Sequence, residues 1–355
     1  MKGRLKRAVG CRGDLGSAAN TVTTERSVRV MRWSRFAAVV LLVACVTLML
    51  TGSTSANRKF TLRLPWIINS QFAGVYVALD KGFFAEEGID LEVRPGGIDK
   101  NSITLVAAGA DDFGLHDAGS LIMARRQGMP LKAVAAFFQK HPGGLMMLKS
   151  SGITQPKDLI GKRLGYQEGG PFTLVKAMFE KEGVPLNKVK LVSVKYDISP
   201  LLTGQIDAMT VYVTSEPVTA EEKGFEVTTI LPYDYGIKTF SEVLFTRDKI
   251  IAEHPDVVRG MVRALRRGWE YAINNREEAI EILSKYDKTI DKKREMGQLV
   301  REIPLMITED TKKHGLGFMS REGWSQVQEI FYAQGQLDKK IDIDTVFTTE
   351  FLGLK

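Results

Sequence analysis

From residue 58 the chain alternates two hydrophobic periods. Phe60, Leu62 and Leu64 recur every second residue, as in a half-buried strand, and Phe72, Val75, Tyr76 and Leu79 then recur at helical spacing. The helix should stop near Gly82 in "KGFFAEEG", after which Ile89, Leu91 and Val93 alternate again. The result is a strand–helix–strand unit, and the pattern repeats. A helix is predicted over 101–109, a strand at "DFGL", a helix up to Gly128 and a strand at "KAVAAFF". A second series follows, with strands at "LMMLK", "KRLGY", "KVKLVSV", "DAMTVYV" and "EVTTI". Such alternation predicts an α/β architecture with mainly parallel sheets. After "YDYGIKTFSEVLFTRD" the pattern turns helical. Pro255 suits a first helical turn, and Val258, Met261, Val262, Leu265 and Trp269 form one apolar stripe. Trp269 is expected in the core, and residues 290–355 read as further helices joined by short turns. Two α/β series followed by helices predict two lobes with a cleft between them.

Composition refines this picture in one place. A chain of 355 residues exceeds one compact core, and 44% hydrophobic with 26% charged residues is ordinary for a globular protein. The net charge of +7 invites an acidic partner until it is located. Residues 1–56 hold nine Lys or Arg and two acids, which leaves 40 of each in the remainder. The body is neutral, so a nucleic-acid partner is not expected.

The leader carries the chemistry of export. Arg32 and Arg35 precede the apolar run "FAAVVLLVACVTLML", and the small polar run "TGSTSA" follows it. That order is a secretory signal, and the apolar run is shorter than the roughly 20 residues that span a bilayer. Cleavage is expected near Ala56, with Met1 or Met31 as the start. The alternative is a lipoprotein anchored through Cys45 of "LVAC", although the apolar run continues past that cysteine. Both cysteines, Cys11 and Cys45, lie in the leader, so a chain cut at Ala56 has no thiol for a disulfide, a metal or nucleophilic catalysis. The histidines His116, His141, His254 and His314 show no metal-ligand spacing, and no cofactor is expected.

The stretch "WIINSQFAGVYVALDKGFFAEEGIDLEV", with "VAAGADDFGL", "DLIGKRLGY", "LLTGQIDAMTVYVTSEP" and the "HPDVV" to "GWEYA" helix, resembles the solute-binding proteins of bacterial ABC importers. The branch it resembles is the thiamine-pyrimidine-precursor family, which also includes riboflavin- and alkanesulfonate-binding relatives. The resemblance implies a two-lobed type II periplasmic-binding-protein fold, with an all-helical C-terminal part completing lobe one. Lobe one would comprise residues 58–140 and 240–355, and lobe two 141–239, with hinges near "FFQKHPG" and "PYDYGIK". The implied protein is an exported monomer that captures a small solute and delivers it, unaltered, to an ABC permease. Two other readings compete. The eukaryotic branch of the family makes the thiamine pyrimidine with an iron-linked histidine and a cysteine cluster, which the body here lacks. A membrane-anchored sensory module would keep the leader as its anchor.

The candidate site follows from where strands hand over to helices, since ligands of open α/β sheets sit beyond the carboxyl ends of strands. Trp66, Asn69, Gln71 and Phe72 lie at the first such junction. There aromatic faces can stack on a planar ring, and the amides can donate and accept. The competing reading packs Trp66 and Phe72 between sheet and helix. His116 and Asp117 open the next helix, and Gln167 and Glu168 lie in "YQEGGPF", whose helix-start amides suit a polar group. Tyr212, Thr214 and Glu216 follow a buried strand. The Glu216 carboxylate could pair with an aminopyrimidine or instead cap a helix near Pro217. Gln139 and Tyr235 lie in the expected hinges. The related branch tends to carry histidine where Phe72 stands, and this second aromatic favours a larger, flavin-like ring or a different pyrimidine.

Overall fold

The computed structural model describes residues 58–353. The expected export signal, the cut near Ala56, Cys11, Cys45 and both candidate starts lie outside the described residues. Ten strands form two five-stranded sheets. The first is built from β1 (Arg58–Arg63), β2 (Ile89–Arg94), β3 (Phe113–His116), β4 (Leu131–Phe138) and β10 (Ser241–Arg247), in the order β2-β1-β3-β10-β4. The second is built from β5 (Gly143–Leu148), β6 (Arg163–Tyr166), β7 (Lys190–Ser193), β8 (Ala208–Tyr212) and β9 (Val227–Ile230), in the order β7-β6-β8-β5-β9.

The expectation of mainly parallel sheets is corrected. Each sheet contains one strand running against its neighbours: β10 is antiparallel to β3 and β4, and β5 is antiparallel to β8 and β9. The reason is topological. β5 and β10 are the strands on which the chain arrives from the other sheet, so they enter without the helical crossover that makes neighbours parallel. The remaining pairs, β1 with β2 and β3 and β6 with β7 and β8, are parallel. Burial follows position. β4, although last in its sheet, is buried along nearly its whole length because residues 317 and 346–348 pair with its outer edge, whereas the edge strand β7 is exposed throughout and begins with a lysine.

The helices that matter for the site are α1 (Ala73–Asp80), α2 (Ser102–Ala107), α3 (Ala118–Arg126), α4 (Gly170–Lys181), α5 (Glu216–Glu222), α6 (Pro255–Asn274), α7 (Arg276–Tyr286) and α8 (Lys292–Met306). In α6, Val258, Met261, Val262, Leu265 and Trp269 are all buried. The helix crosses α1 at a contact that admits no side chain. A Cβ on Gly268 would lie 2.1 Å from the Gly74 carbonyl oxygen, and one on Gly74 would lie 2.4 Å from the Trp269 ring. Two glycines thus set the α1–α6 distance and leave Trp269 wedged against Phe138, ring centroids 5.9 Å apart.

α8 joins the two halves of the body. Glu295 and Glu302, two turns apart, face the loop before α1: Glu295 accepts from the Ser70 amide at 2.6 Å and Glu302 from the Ser70 hydroxyl at 3.0 Å. The adjacent stripe carries Arg294 and Arg301. These pair with Glu222 and Glu221 of α5, at 2.8 and 2.7 Å. The i, i+7 spacing places each pair on one stripe, so a single helix addresses both lobes.

Candidate functional site

β1 and β3 end, and β10 begins, at the same edge of the first sheet. His116, the last residue of β3, is opposite Val243 of β10. The segment 66–72 leaves β1 at this edge and is fixed by short-range capping: the Asn69 side-chain oxygen accepts from the Gln71 amide at 3.0 Å. Asn69 is a β-region cap residue, and this bond turns Gln71 inward. Gln71 Nε2 then donates to Glu242 Oε1 at 2.5 Å.

Glu242 escaped the sequence reading. It has φ +47°, the only positive φ of a non-glycine among the described residues, and it is 2% exposed. A left-handed glutamate inside a strand is costly, of order 1–3 kcal/mol, and persists where surrounding structure imposes it. Its second oxygen, Oε2, has no hydrogen-bond partner among the described residues. Burial pushes this carboxyl up to about 8, the Gln71 bond offsets part of that effect, and the Asp117 charge adds to it. Glu242 is therefore mostly a neutral acid at pH 7. Only its position in a nondescript strand, "SEVLF", hinted at it, since a lone charge among apolar residues breaks the pattern.

Asp117 caps α3 by accepting from the Ser120 amide at 2.8 Å and hydroxyl at 2.7 Å, and it also binds His116 Nδ1 at 2.8 Å. Burial pushes its carboxyl up, but the bond and attraction of His116 and the Ser120 amide outweigh it and hold the carboxyl well below its usual range. From the second sheet Tyr212 enters at the end of β8, its ring edge-on to His141 with centroids 5.7 Å apart. Burial raises the Tyr212 hydroxyl well above its usual range, and the nearby charges of Asp117, Glu242, Glu216 and Tyr196 add to it. That set of neighbours spans both sheets, so Tyr212 lies where they meet. His141 is 6% exposed and its Nδ1 accepts from the Gly143 amide at 2.9 Å. Burial lowers it to about 4, against the pull of Asp117, so it stays neutral.

Trp66 is half-buried. It packs on the first lobe's core and meets Tyr196, which follows β7, at 6.0 Å between ring centroids. Tyr196 is 73% exposed and was also missed, because nothing local distinguishes a loop tyrosine that a partner lobe will face. Gln167 supports its loop: Nε2 donates to the Lys195 carbonyl at 3.0 Å while Oε1 accepts from Thr210 at 3.1 Å. Glu216 Oε2 accepts from the Tyr212 amide at 3.0 Å, which engages one oxygen in bracing the turn from β8 into α5, and burial raises the carboxyl.

Four expected residues are placed otherwise. Phe72 is fully buried within the lobe-one core, so its ring has no free face for a ligand, and the argument from it to a flavin-sized ring lapses. Gln139 spends both amide hydrogens on carbonyls, Ala136 at 2.7 Å and Phe318 at 3.0 Å, and so braces the segment between β4 and β5. Tyr235 is near Glu182 and Asp158. Glu182 follows the C-terminal end of α4, whereas the site edge is at that helix's start. Thr214 is 3% exposed, buried in the turn between β8 and α5. Glu168 stands exposed on the loop before α4.

Gln71, His116, Asp117 and Tyr212 are thus brought together, with Glu242 and His141 added. The basic side chains here are the imidazoles of His116, bound to Asp117, and His141. Among the described residues no group of three or more His, Cys, Asp or Glu could hold a metal ion, and no helix is long and apolar enough to cross a membrane.

The chain is 28% identical over 251 residues to a formylaminopyrimidine-binding protein of Halalkalibacterium halodurans, covering 69% of this chain and 76% of that one. It is 26% identical over 304 residues to the riboflavin-binding protein RibY of Chloroflexus aurantiacus, covering 83% and 86%. It is also 25% identical over 304 residues to a 4-amino-5-hydroxymethyl-2-methylpyrimidine phosphate synthase of Legionella pneumophila, covering 84% and 94%. The periplasmic aliphatic sulphonate binding protein SsuA of Escherichia coli superposes with a TM-score of 0.65 at 16% identity, over 81% of this chain and 91% of that one. That likeness shows the two-lobed periplasmic-binding-protein fold. Residues 69–279 match the family described as NMT1/THI5 like, and the chain belongs to that family.

Proposed function

We propose that the protein is the extracytoplasmic solute-binding component of an ABC importer and holds a planar nitrogen heterocycle between its lobes. In this reading residues 58–140 with 240–355 form one jaw and 141–239 the other, and the two crossing segments act as hinges. The observation that carries it is the meeting of Gln71, Glu242, His116 and Asp117 from the first lobe with Tyr212 and His141, beside the Trp66–Tyr196 ring pair. Such a set offers ring faces for stacking and oriented polar groups for the ring edge, and it contains no nucleophile poised beside a base. The relatives named for formylaminopyrimidine and riboflavin binding support a heterocyclic guest. An alkanesulfonate, the alternative suggested by the fold, would bring a full negative charge beside the buried Asp117, whose basic neighbour His116 is already bound to it.

The guest is released chemically unchanged to a membrane permease, and the protein acts as a monomer outside the cytoplasmic membrane. The relative named as a synthase is the reason the test must follow the guest and not only its binding. Mass spectrometry of the molecule that co-purifies, followed by a melting panel of pyrimidines, flavins and sulfonates, is decisive. A guest at 100 times its Kd stabilises the protein by about 2.7 kcal/mol. Recovery of a chemically altered guest, or a panel in which no heterocycle raises Tm, refutes the reading.

A further inference from the structure

Within the site, one buried group is half used. Glu242 is 2% exposed; Gln71 occupies Oε1, and Oε2 has no partner among the described residues. A buried carboxyl oxygen left unpaired is destabilising, and the positive φ at Glu242 adds to that strain. A binding site can carry both costs if a guest completes the group.

The chemistry of the missing partner follows from proton placement. Because Oε1 accepts from Gln71, the proton of the neutral acid resides on Oε2, which therefore donates. The groups acting on Glu242 are acidic or neutral: Asp117 beside it, Tyr212 from β8, and Glu302 from α8, itself pushed well above the usual range by burial and by Glu295 and Glu242. His116 is bound to Asp117. A ring nitrogen basic enough to share or take the Oε2 proton would form a charge-assisted bond, which is shorter and roughly twice as strong as a neutral one. A flavin edge of imide and carbonyl groups would accept only an ordinary bond there, and a sulfonate would meet the ionised Asp117, whose basic neighbour His116 is already bound to it.

We propose that Glu242 is the specificity-determining residue of the site and selects a guest with a basic ring nitrogen, an aminopyrimidine, over flavins and sulfonates. This rests on the heterocycle-binding reading above and narrows it. The proton moves from Glu242 Oε2 toward the ring nitrogen and returns on release, so no bond of the guest is altered.

The test is titration calorimetry at pH 7 of the wild type and of Glu242→Gln with three probes: 4-amino-5-hydroxymethyl-2-methylpyrimidine, riboflavin and ethanesulfonate. The expected result is that the wild type binds the aminopyrimidine at least tenfold more tightly than riboflavin and does not bind ethanesulfonate. Glu242→Gln, which keeps the Gln71 bond and the shape but cannot give a proton, should weaken the aminopyrimidine at least tenfold and riboflavin less than threefold. A melting curve confirms that the variant is folded. An aminopyrimidine affinity within threefold of wild type in the variant, or a wild type preferring riboflavin, overturns the inference and leaves heterocycle binding intact. Binding of ethanesulfonate alone, or of none of the three, overturns both.

Discussion

Replacing Glu242 by glutamine should also change how stability depends on pH. The buried carboxyl titrates at about 8 in the folded protein against a reference value of 4.5. Below pH 4.5 the group is protonated in both folded and unfolded chains and contributes no difference. Between 4.5 and 8 the unfolded chain loses the proton while the folded one keeps it, so the unfolded state gains and stability falls as pH rises. Each pH unit of that interval is worth about 1.4 kcal/mol, which gives about 3 kcal/mol by pH 7 and about 5 kcal/mol above pH 8. Glutamine keeps the hydrogen bond from Gln71 Nε2 and carries no proton to lose. Its own unpaired amide costs about 1–3 kcal/mol, but that cost does not vary with pH. Asp117, Glu295, Glu302 and His141 titrate in both proteins and largely cancel in the difference. The quantity to measure is therefore the unfolding free energy of Glu242→Gln minus that of the wild type, from urea titrations without ligand at pH 5, 6.5 and 8. It should become more favourable to the variant by about 3 kcal/mol across that range. A difference flat to within about 1 kcal/mol would show that Glu242 is ionised in the folded state, and the account of its free oxygen would be wrong.

Other perturbations probe other links. Gly268→Ala places a methyl group about 2.1 Å from the Gly74 carbonyl oxygen, so α6 must move off α1; a loss of about 1–3 kcal/mol in denaturant midpoint analysis is expected, and a neutral result would refute the close-approach argument. Trp66→Ala should weaken the heterocyclic guest by about 1–3 kcal/mol with little change in Tm of the free protein, since the ring is only half-buried; unchanged affinity in fluorescence titration would remove Trp66 from the site. Arg301→Ala breaks the inter-lobe pair with Glu221. The pair is partly exposed, so the expected effect is a modest fall in guest affinity that shrinks in high salt, and scattering should show a more open body. An affinity as salt-independent in the wild type as in the variant would exclude this pair from closure.

The hydrophobic pattern by itself determined the elements and the class of fold. Alternation at Phe60, Leu62 and Leu64, the helical stripe from Val75, and the α6 stripe ending in Trp269 are local consequences of which faces must leave water, and all of these residues except half-buried Leu79 of the first helix are buried as that demands. Strand direction was not local. β5 and β10 run against their neighbours because of where the chain comes from, and no residue within them encodes it. The site divides in the same way. Gln71, His116, Asp117 and Tyr212 could be named because junctions between strand and helix are visible in sequence. Whether a residue at such a junction faces the cleft or the core depends on its rotation about the chain, which sent Phe72 into the core and Gln71, one position away, to Glu242. Glu242 and Tyr196 depended wholly on tertiary structure. One is a strand residue turned by a left-handed φ toward a loop 171 positions earlier, and the other is a loop residue that acquires meaning only from the Trp66 ring opposite. Local sequence sets which surfaces are buried. The distance-dependent forces that tune an acid or form a ring pair act between groups that only folding brings together.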